Sequence, residues 1–200
     1  MLQFSFHSMQ YFDEVPSEPH FYLIEGDPHV LTEFTSYFLV KRAPSLLLDG
    51  GNSFDPFTLS FFCRKLEMDT MENVFVSRAF TVFQLKMLII DHLPSFIKKN
   101  RPSIVFVSFF SNLFRSDDVE EEILTILYKK LLFRLKETER RYKIPIMVTD
   151  RKNNSTLFDC RIGLHMKRNT FLLSVDQKTF RYPLVPPDQK TLDCWREYHG

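Results

Sequence analysis

Glycine is scarce in this chain, at 5 of 200 residues, and so little of it leaves almost no material for a glycine-rich phosphate loop. Cysteine is rarer still: Cys63, Cys160 and Cys194 are far apart and form no CxxC pair, which excludes a zinc knuckle or a thioredoxin-type motif. An odd number of scattered thiols suits a reducing compartment. The histidines at positions 7, 20, 29, 92, 165 and 199 show neither HxH nor HExxH spacing, so no metal site is expected. Long apolar runs are missing too. The longest stretch without a formal charge, Pro102 to Phe114, is too short to cross a bilayer. The opening MLQFSFHSMQYFDE has no basic lead and no small-residue cleavage site, which argues against a signal peptide. A cytoplasmic location is the expectation. Positive charge is absent up to Glu33, where every formal charge is acidic: Asp13, Glu14, Glu18, Glu25, Asp27 and Glu33.

What is present points to one α/β domain. Two hundred residues, 44% of them hydrophobic and 26% charged, can bury a sizeable core. Phenylalanine is abundant at 22 residues. The net charge of +1 conceals a basic segment from Lys129 to Arg168, with 12 Lys/Arg against 4 Asp/Glu, and a face for an anionic partner is one reading of it; a solvated helix face is the other. FYLIEG (21–26) reads as a strand, PHVLTEFTSYFLVKR (28–42) has helical apolar spacing, and PSLLLDG (44–50) is a continuous apolar run that suits a parallel strand covered on both faces. Asp55-Pro56 starts a helix, with Asp as N-cap and Pro at the first helical position. NVFVSRAF (73–80), SIVFVSFF (103–110) and IPIMVTD (144–150) are further strands. TVFQLKMLIIDHL is a helix expected to end before Pro94, and residues 117–143 form a long helix in which Asp117 and Glu120 have capping-box spacing. CRIGLHMKR, TFLLSVD and TFRYPLV close the chain as short strands. Strands alternating with helices imply a mostly parallel sheet between helical layers.

A phosphate-binding loop of the type G-x-x-x-x-G-K-[ST] follows a first strand. Gly26 offers the first glycine, but Leu31, Thr32 and Glu33 stand where the second glycine, the lysine and the Ser/Thr belong. LLLDGGNSFDPFTL followed by ENVFVSRAFTVFQL resembles the core of the RecA/RadA recombinase family, through Asp49, Phe54, Pro56, Asn73, Val74, Arg78, Ala79, Phe80 and Gln84. VFVSFFSNLFR resembles that family's Walker B strand at Val107, Phe114 and Arg115; IMVTDR matches a later strand at Thr149; RIGLHMKR matches a returning strand at Arg161 and Leu164. The resemblance covers roughly residues 20–186. It implies a RecA-like three-layer αβα domain with a mostly parallel central sheet, an extension at 1–19, a core at 20–186 and a tail at 187–200.

The departures from the pattern carry the functional expectation. The catalytic glutamate of the family falls at Gly51, the Walker B aspartate at Ser108 and the phosphate-sensing glutamine at Arg151. Phosphoryl transfer needs the loop lysine, magnesium ligands and a water-orienting group together. With Gly26, Leu31, Thr32, Glu33, Asp49, Gly51 and Ser108 lining the corresponding site, the expectation is an inactive ATPase-like domain without cofactor. Asp49, at a strand end where α/β sheets bind ligands, reads more readily as a turn or cap residue. The residues from Thr149 to Lys167 take the place of the family's second DNA loop, so Arg115, Arg151, Lys152, Asn153, Asn154, Arg161, Lys167 and Arg168 are the candidate DNA contacts. The resemblance thus implies an accessory recombinase paralogue in DNA recombination or repair, with a recombinase, another paralogue or single-stranded DNA as partner. A RecA-like interaction module without a DNA role is the alternative.

Overall fold

Five apolar runs build the centre of an eight-stranded sheet. The computed structural model describes residues 11–13, 15, 18–115, 119–167, 170–176 and 178–183. The strands are β1 (Phe21–Gly26), β2 (Ser45–Asp49), β3 (Val74–Arg78), β4 (Ile104–Ser108), β5 (Ile146–Asp150), β6 (Cys160–Lys167), β7 (Thr170–Val175) and β8 (Lys178–Pro183), in the order β3-β2-β4-β5-β1-β6-β7-β8. All pairings from β3 to β6 are parallel, and β6, β7 and β8 are joined as antiparallel hairpins. Every residue of β2, β4 and β5 is buried, the condition that continuous apolar runs such as SLLL and IVFV satisfy.

Alternate side chains of these strands enter two separate cores. Tyr22, Ile24, Leu47, Phe106 and Met147 pack against helices α1 (Pro28–Lys41) and α2 (Pro56–Lys65), through residues such as Phe34, Phe38 and Phe62. Phe21, Leu46, Val105, Val107 and Val148 pack against α3 (Val82–Met87), α4 (Leu93–Asn100) and α5 (Glu121–Tyr142), through Leu85, Leu93, Leu131 and Leu135. The period of two along each strand thereby places helices on both faces, which makes an α/β fold with a mostly parallel sheet. Phenylalanine is shared between the two cores; in the first, Phe12 meets Phe34 edge-on at 5.2 Å and 84°. Phe12 and Val15, ahead of β1, are buried within it. No helix among the described residues is long and apolar enough to cross a membrane.

Two helix boundaries differ from expectation. The helix after β3 does not stop before Pro94. It continues through a π-helical turn, Leu88–His92, into α4, whose first turn holds the proline. The Leu93 N–H reaches back five residues to the Leu88 carbonyl, and this wider turn accommodates a residue that has no N–H and would crowd an α-helical carbonyl four residues earlier. The long helix begins at Glu121 with Glu120 as its N-cap and no side-chain capping bond. Glu120 therefore does not occupy the third helical position that a capping box with Asp117 requires, and Asp117 lies outside the described residues. Glu121 and Glu122 at the start, with Arg140 and Arg141 at the end, do match the helix dipole. The Asp55 cap forms as expected, its carboxylate accepting from the N–H groups of Phe57 and Thr58 at 3.0 and 3.1 Å.

Candidate functional site

Ligands of parallel α/β sheets bind at the carboxyl ends of the strands. In this chain that edge carries Gly26 and Asp27 after β1, Asp49 to Gly51 after β2, Ser108 and Phe109 after β4, and Asp150 and Arg151 after β5. The register sets Asp49 opposite Ser108 and Glu25 opposite Asp150.

Where a phosphate loop would lie, the chain passes from β1 to α1 through one residue, Asp27. A loop that cradles phosphate needs several successive N–H groups curled round the anion, and one residue cannot supply them. Asp27 is also held in place: its N–H donates to the Leu164 carbonyl at 3.3 Å and its carboxylate accepts from the Met166 N–H at 3.0 Å. Gly26 is glycine because β6 runs too close for a side chain; a Cβ there would stand 1.9 Å from the Leu164 carbonyl oxygen. Leu31 is fully buried in the first core. The Thr32 hydroxyl donates to the Pro28 carbonyl at 3.0 Å. Glu33 pairs with His29 at 3.2 Å through Oε1, while Oε2 is buried without a hydrogen bond among the described residues; burial pushes its carboxyl up to about 8.

The end of β2 is a knot centred on Asp49, which is fully buried. Its carboxylate accepts from the Ser53 N–H at 3.0 Å, the Phe54 N–H at 3.1 Å and the Ser108 hydroxyl at 2.7 Å. The Ser53 hydroxyl lies 3.1 Å away, and Arg78 Nε completes an ion pair at 3.1 Å. Burial acts to raise this carboxyl, but the bonds from Ser53, Ser108 and Phe54 outweigh it and hold it below the ordinary aspartate value. Asp49 therefore organises the turn, as its cap-or-turn reading anticipates. Ser108, which the sequence resemblance aligns with a Walker B aspartate, is bonded inward to Asp49.

Gly51 is the position that the sequence resemblance aligns with a catalytic glutamate. A Cβ at this position would lie 2.6 Å from Phe109 Cβ and 2.7 Å from Phe109 Cδ2. Phe109 adopts a left-handed conformation with φ of 46°, unusual for an aromatic residue, and its N–H donates to the Thr149 hydroxyl at 3.1 Å. The Phe109 side chain occupies the space that any side chain at position 51 would need.

A second knot closes the end of β5. Asp150 is fully buried and accepts from the Ser111 N–H at 3.2 Å, the Ser111 hydroxyl, the Asn153 side-chain amide at 3.2 Å and the Arg151 N–H at 3.0 Å. Burial raises its carboxyl, and the bonds from Ser111 and Asn153 oppose that without cancelling it. Arg161 donates to the carbonyls of Asn153, at 2.8 Å, and Ser155, and reaches Glu25 at 3.4 Å. The Asn153 N–H donates to Glu25 as well.

The candidate DNA residues thus divide. Asn153 is buried and Arg161 half-buried, and both hold the loop that follows β5. Arg151, Lys152 and Asn154 are exposed on that loop, Lys167 is exposed at the end of β6, and Arg115 is exposed after the turn that follows β4. Arg168 lies outside the described residues. The basic segment is not one surface: α5 leads into the start of β5, so its terminal Arg140, Arg141 and Lys143 sit at the far end of the sheet, roughly 17 Å of strand away from the loop. Residue spacing leaves the distant half of each knot out of sight: Ser53, Phe54, Arg151 and Asn153 are sequence neighbours of the carboxylates they bind, but Arg78, Ser108 and Ser111 come from other parts of the sheet edge; the hint for these is that Arg78 and Asp49 belong to the same resemblance. No group of three or more His, Cys, Asp or Glu placed to hold a metal exists among the described residues.

No protein-family model matches the chain, and no curated protein matches it at a significant level.

Proposed function

We propose that this chain is a RecA-like domain without catalytic activity, an accessory recombinase paralogue acting in DNA recombination or repair through a recombinase, a paralogue or single-stranded DNA. The observation that carries the reading is the closure of the strand ends. The β1–α1 link is a single residue, and Phe109 fills the space at Gly51. The sequence resemblance supports the family, and the mostly parallel sheet flanked by helices agrees with the three-layer arrangement that the family implies. Arg151, Lys152, Lys167 and Arg115 are the exposed cations left for a phosphate backbone.

The test is a titration of labelled single-stranded oligonucleotide at several salt concentrations. Wild-type binding should weaken steeply with salt, and Arg151→Ala with Lys152→Ala should lower the log–log slope by roughly 0.7 for each phosphate no longer neutralised. No binding at low salt, or equal slopes for the two proteins, overturns the DNA assignment. Magnesium-dependent ATP turnover above buffer overturns the non-catalytic one.

A second reading, an interaction module without a DNA role, is favoured by the internal bonding of Arg161 and Asn153 and by the exposure of Phe57 (83%) and Phe80 (66%). Exposed aromatics of this size suit a protein interface.

A further inference from the structure

The end of the sheet opposite Asp49 and Asp150 has a different character. α4 and α5 both finish there, each just before a strand begins. A groove of about 470 Å³ includes Pro94, Phe133, Arg134, Glu137, Arg141 and Tyr142 in its lining. An adjoining groove of about 420 Å³ is lined by Ile97, Lys98, Arg101, Pro102, Ile144 and the same Tyr142. The two linings hold five cations (Lys98, Arg101, Arg134, Arg140 and Arg141) and one carboxylate, Glu137, which pairs with Arg134 at 3.2 Å and leaves four cations in surplus.

Cations in the last turn of a helix offset its dipole, which accounts for basic residues at these ends. It does not account for two donors that lack acceptors. The Tyr142 hydroxyl and Arg134 Nε are buried without a hydrogen-bond partner among the described residues, a state that folded proteins avoid. Both belong to the lining, and the Arg141 guanidinium lies 5.6 Å from the Tyr142 ring centroid. Unmet donors, surplus cations and an apolar floor of proline, isoleucine and phenylalanine call for a ligand with acceptor oxygens and aliphatic or aromatic groups.

We propose that this double groove docks an acidic, apolar-containing segment of a partner protein, its carboxylates on the arginines and its apolar side chains beside Tyr142 and Phe133. Tyrosine and arginine are the residue types that dominate protein-binding hot spots. Pro94, Ile97, Pro102 and Ile144 make much of the lining aliphatic, which suits apolar side chains better than bases, for which Phe133 and Tyr142 offer the aromatic planes. The proposal is independent of any DNA role for the loop at Arg151.

The experiment measures fluorescence anisotropy of a labelled peptide of alternating glutamate and leucine, about a dozen residues long, against the full chain. A lysine–leucine peptide and an oligothymidylate serve as comparisons. The acidic peptide should bind and the basic one should not. Lys98→Glu with Arg141→Glu, both at exposed positions, should weaken binding of the acidic peptide roughly tenfold or more, a change of about 1.4 kcal/mol, while circular dichroism stays native. Tyr142→Phe removes a hydroxyl that has no partner among the described residues, so it should leave the fold as stable or slightly more so and still weaken the peptide severalfold; a merely structural tyrosine would not give that split. Failure of the acidic peptide to bind at low salt overturns the proposal, as does unchanged binding by the natively folded double variant. Oligothymidylate binding that disappears in the same variant would assign the groove to nucleic acid and overturn it equally.

Discussion

Asp49 and Asp150 are both fully buried carboxylates at the carboxyl ends of parallel strands, yet they are held in opposite ways. Asp49 receives two backbone N–H groups, serine hydroxyls and a guanidinium, and its carboxyl sits below the ordinary value. Asp150 receives neutral donors, lies in register with Glu25 on the adjacent strand, and its carboxyl is raised. Burial is common to both, so burial does not set the direction. What differs is whether the surrounding donors outweigh desolvation. The first knot fastens the turn after β2 to β3 and β4; the second fastens the loop after β5 to β1 and β6.

Breaking the Asp49 knot should have the largest effect. Asp49→Ala leaves Arg78 without its carboxylate and strands the N–H groups of Ser53 and Phe54, so a loss of about 3–5 kcal/mol in chemical denaturation is expected. Next comes Gly51→Ala, which forces Phe109 out of its place. It should lose about 1–3 kcal/mol, and a cycle with Phe109→Gly, which removes the Cβ and the ring that meet position 51, should reveal strong non-additivity because the two positions share one space. Additive values would mean that Phe109 does not close the site.

Titration sharpens the contrast further. Asp49 has a lowered folded pKa, so its contribution is present above the unfolded value and is lost as pH falls below about 3.9. Asp150 has a raised folded pKa, so the folded state holds the extra proton, and stability declines as pH rises from about 3.9 through the folded value. Asp49→Asn should therefore remove stability that wild type gains with rising pH, whereas Asp150→Asn should remove a decline and cost less than about 1 kcal/mol at pH 7. Urea midpoints from pH 3 to 7 check both signs. Glu33 follows the Asp150 pattern, with a window from the ordinary 4.5 to about 8; Glu33→Gln should flatten the pH dependence of stability across that window.

The parallel sheet was legible because burial on both faces demands a long apolar stretch of a kind that SLLL and IVFV supply, and the Asp55 cap because its partners are two and three residues away. The knots were not legible, because Asp49 meets Arg78 and Ser108 across 29 and 59 residues and only the strand order brings them together. The π-helical turn before Pro94 escaped for a related reason. Proline announces a break in hydrogen bonding, but α3 and α4 stay in line through Leu85, Ile89 and Leu93, all buried in the second core, and packing overrode the local signal. At the loop after β5, positive charge could be counted, whereas the engagement of Arg161 with two carbonyls depends on where β6 returns.

The single residue between β1 and α1 also bears on how this chain can change over generations. Point substitution alters chemistry but not contour length. Any sequence reachable from this one by exchanging residues keeps a link of one residue, which here is Asp27, tied to Met166 and followed at once by Pro28. Building a phosphate cradle here would take an insertion at a position where the backbone of β6 already leaves no space beside Gly26. Exchange of side chains alone therefore cannot open this strand end to a phosphate, whatever residues are chosen.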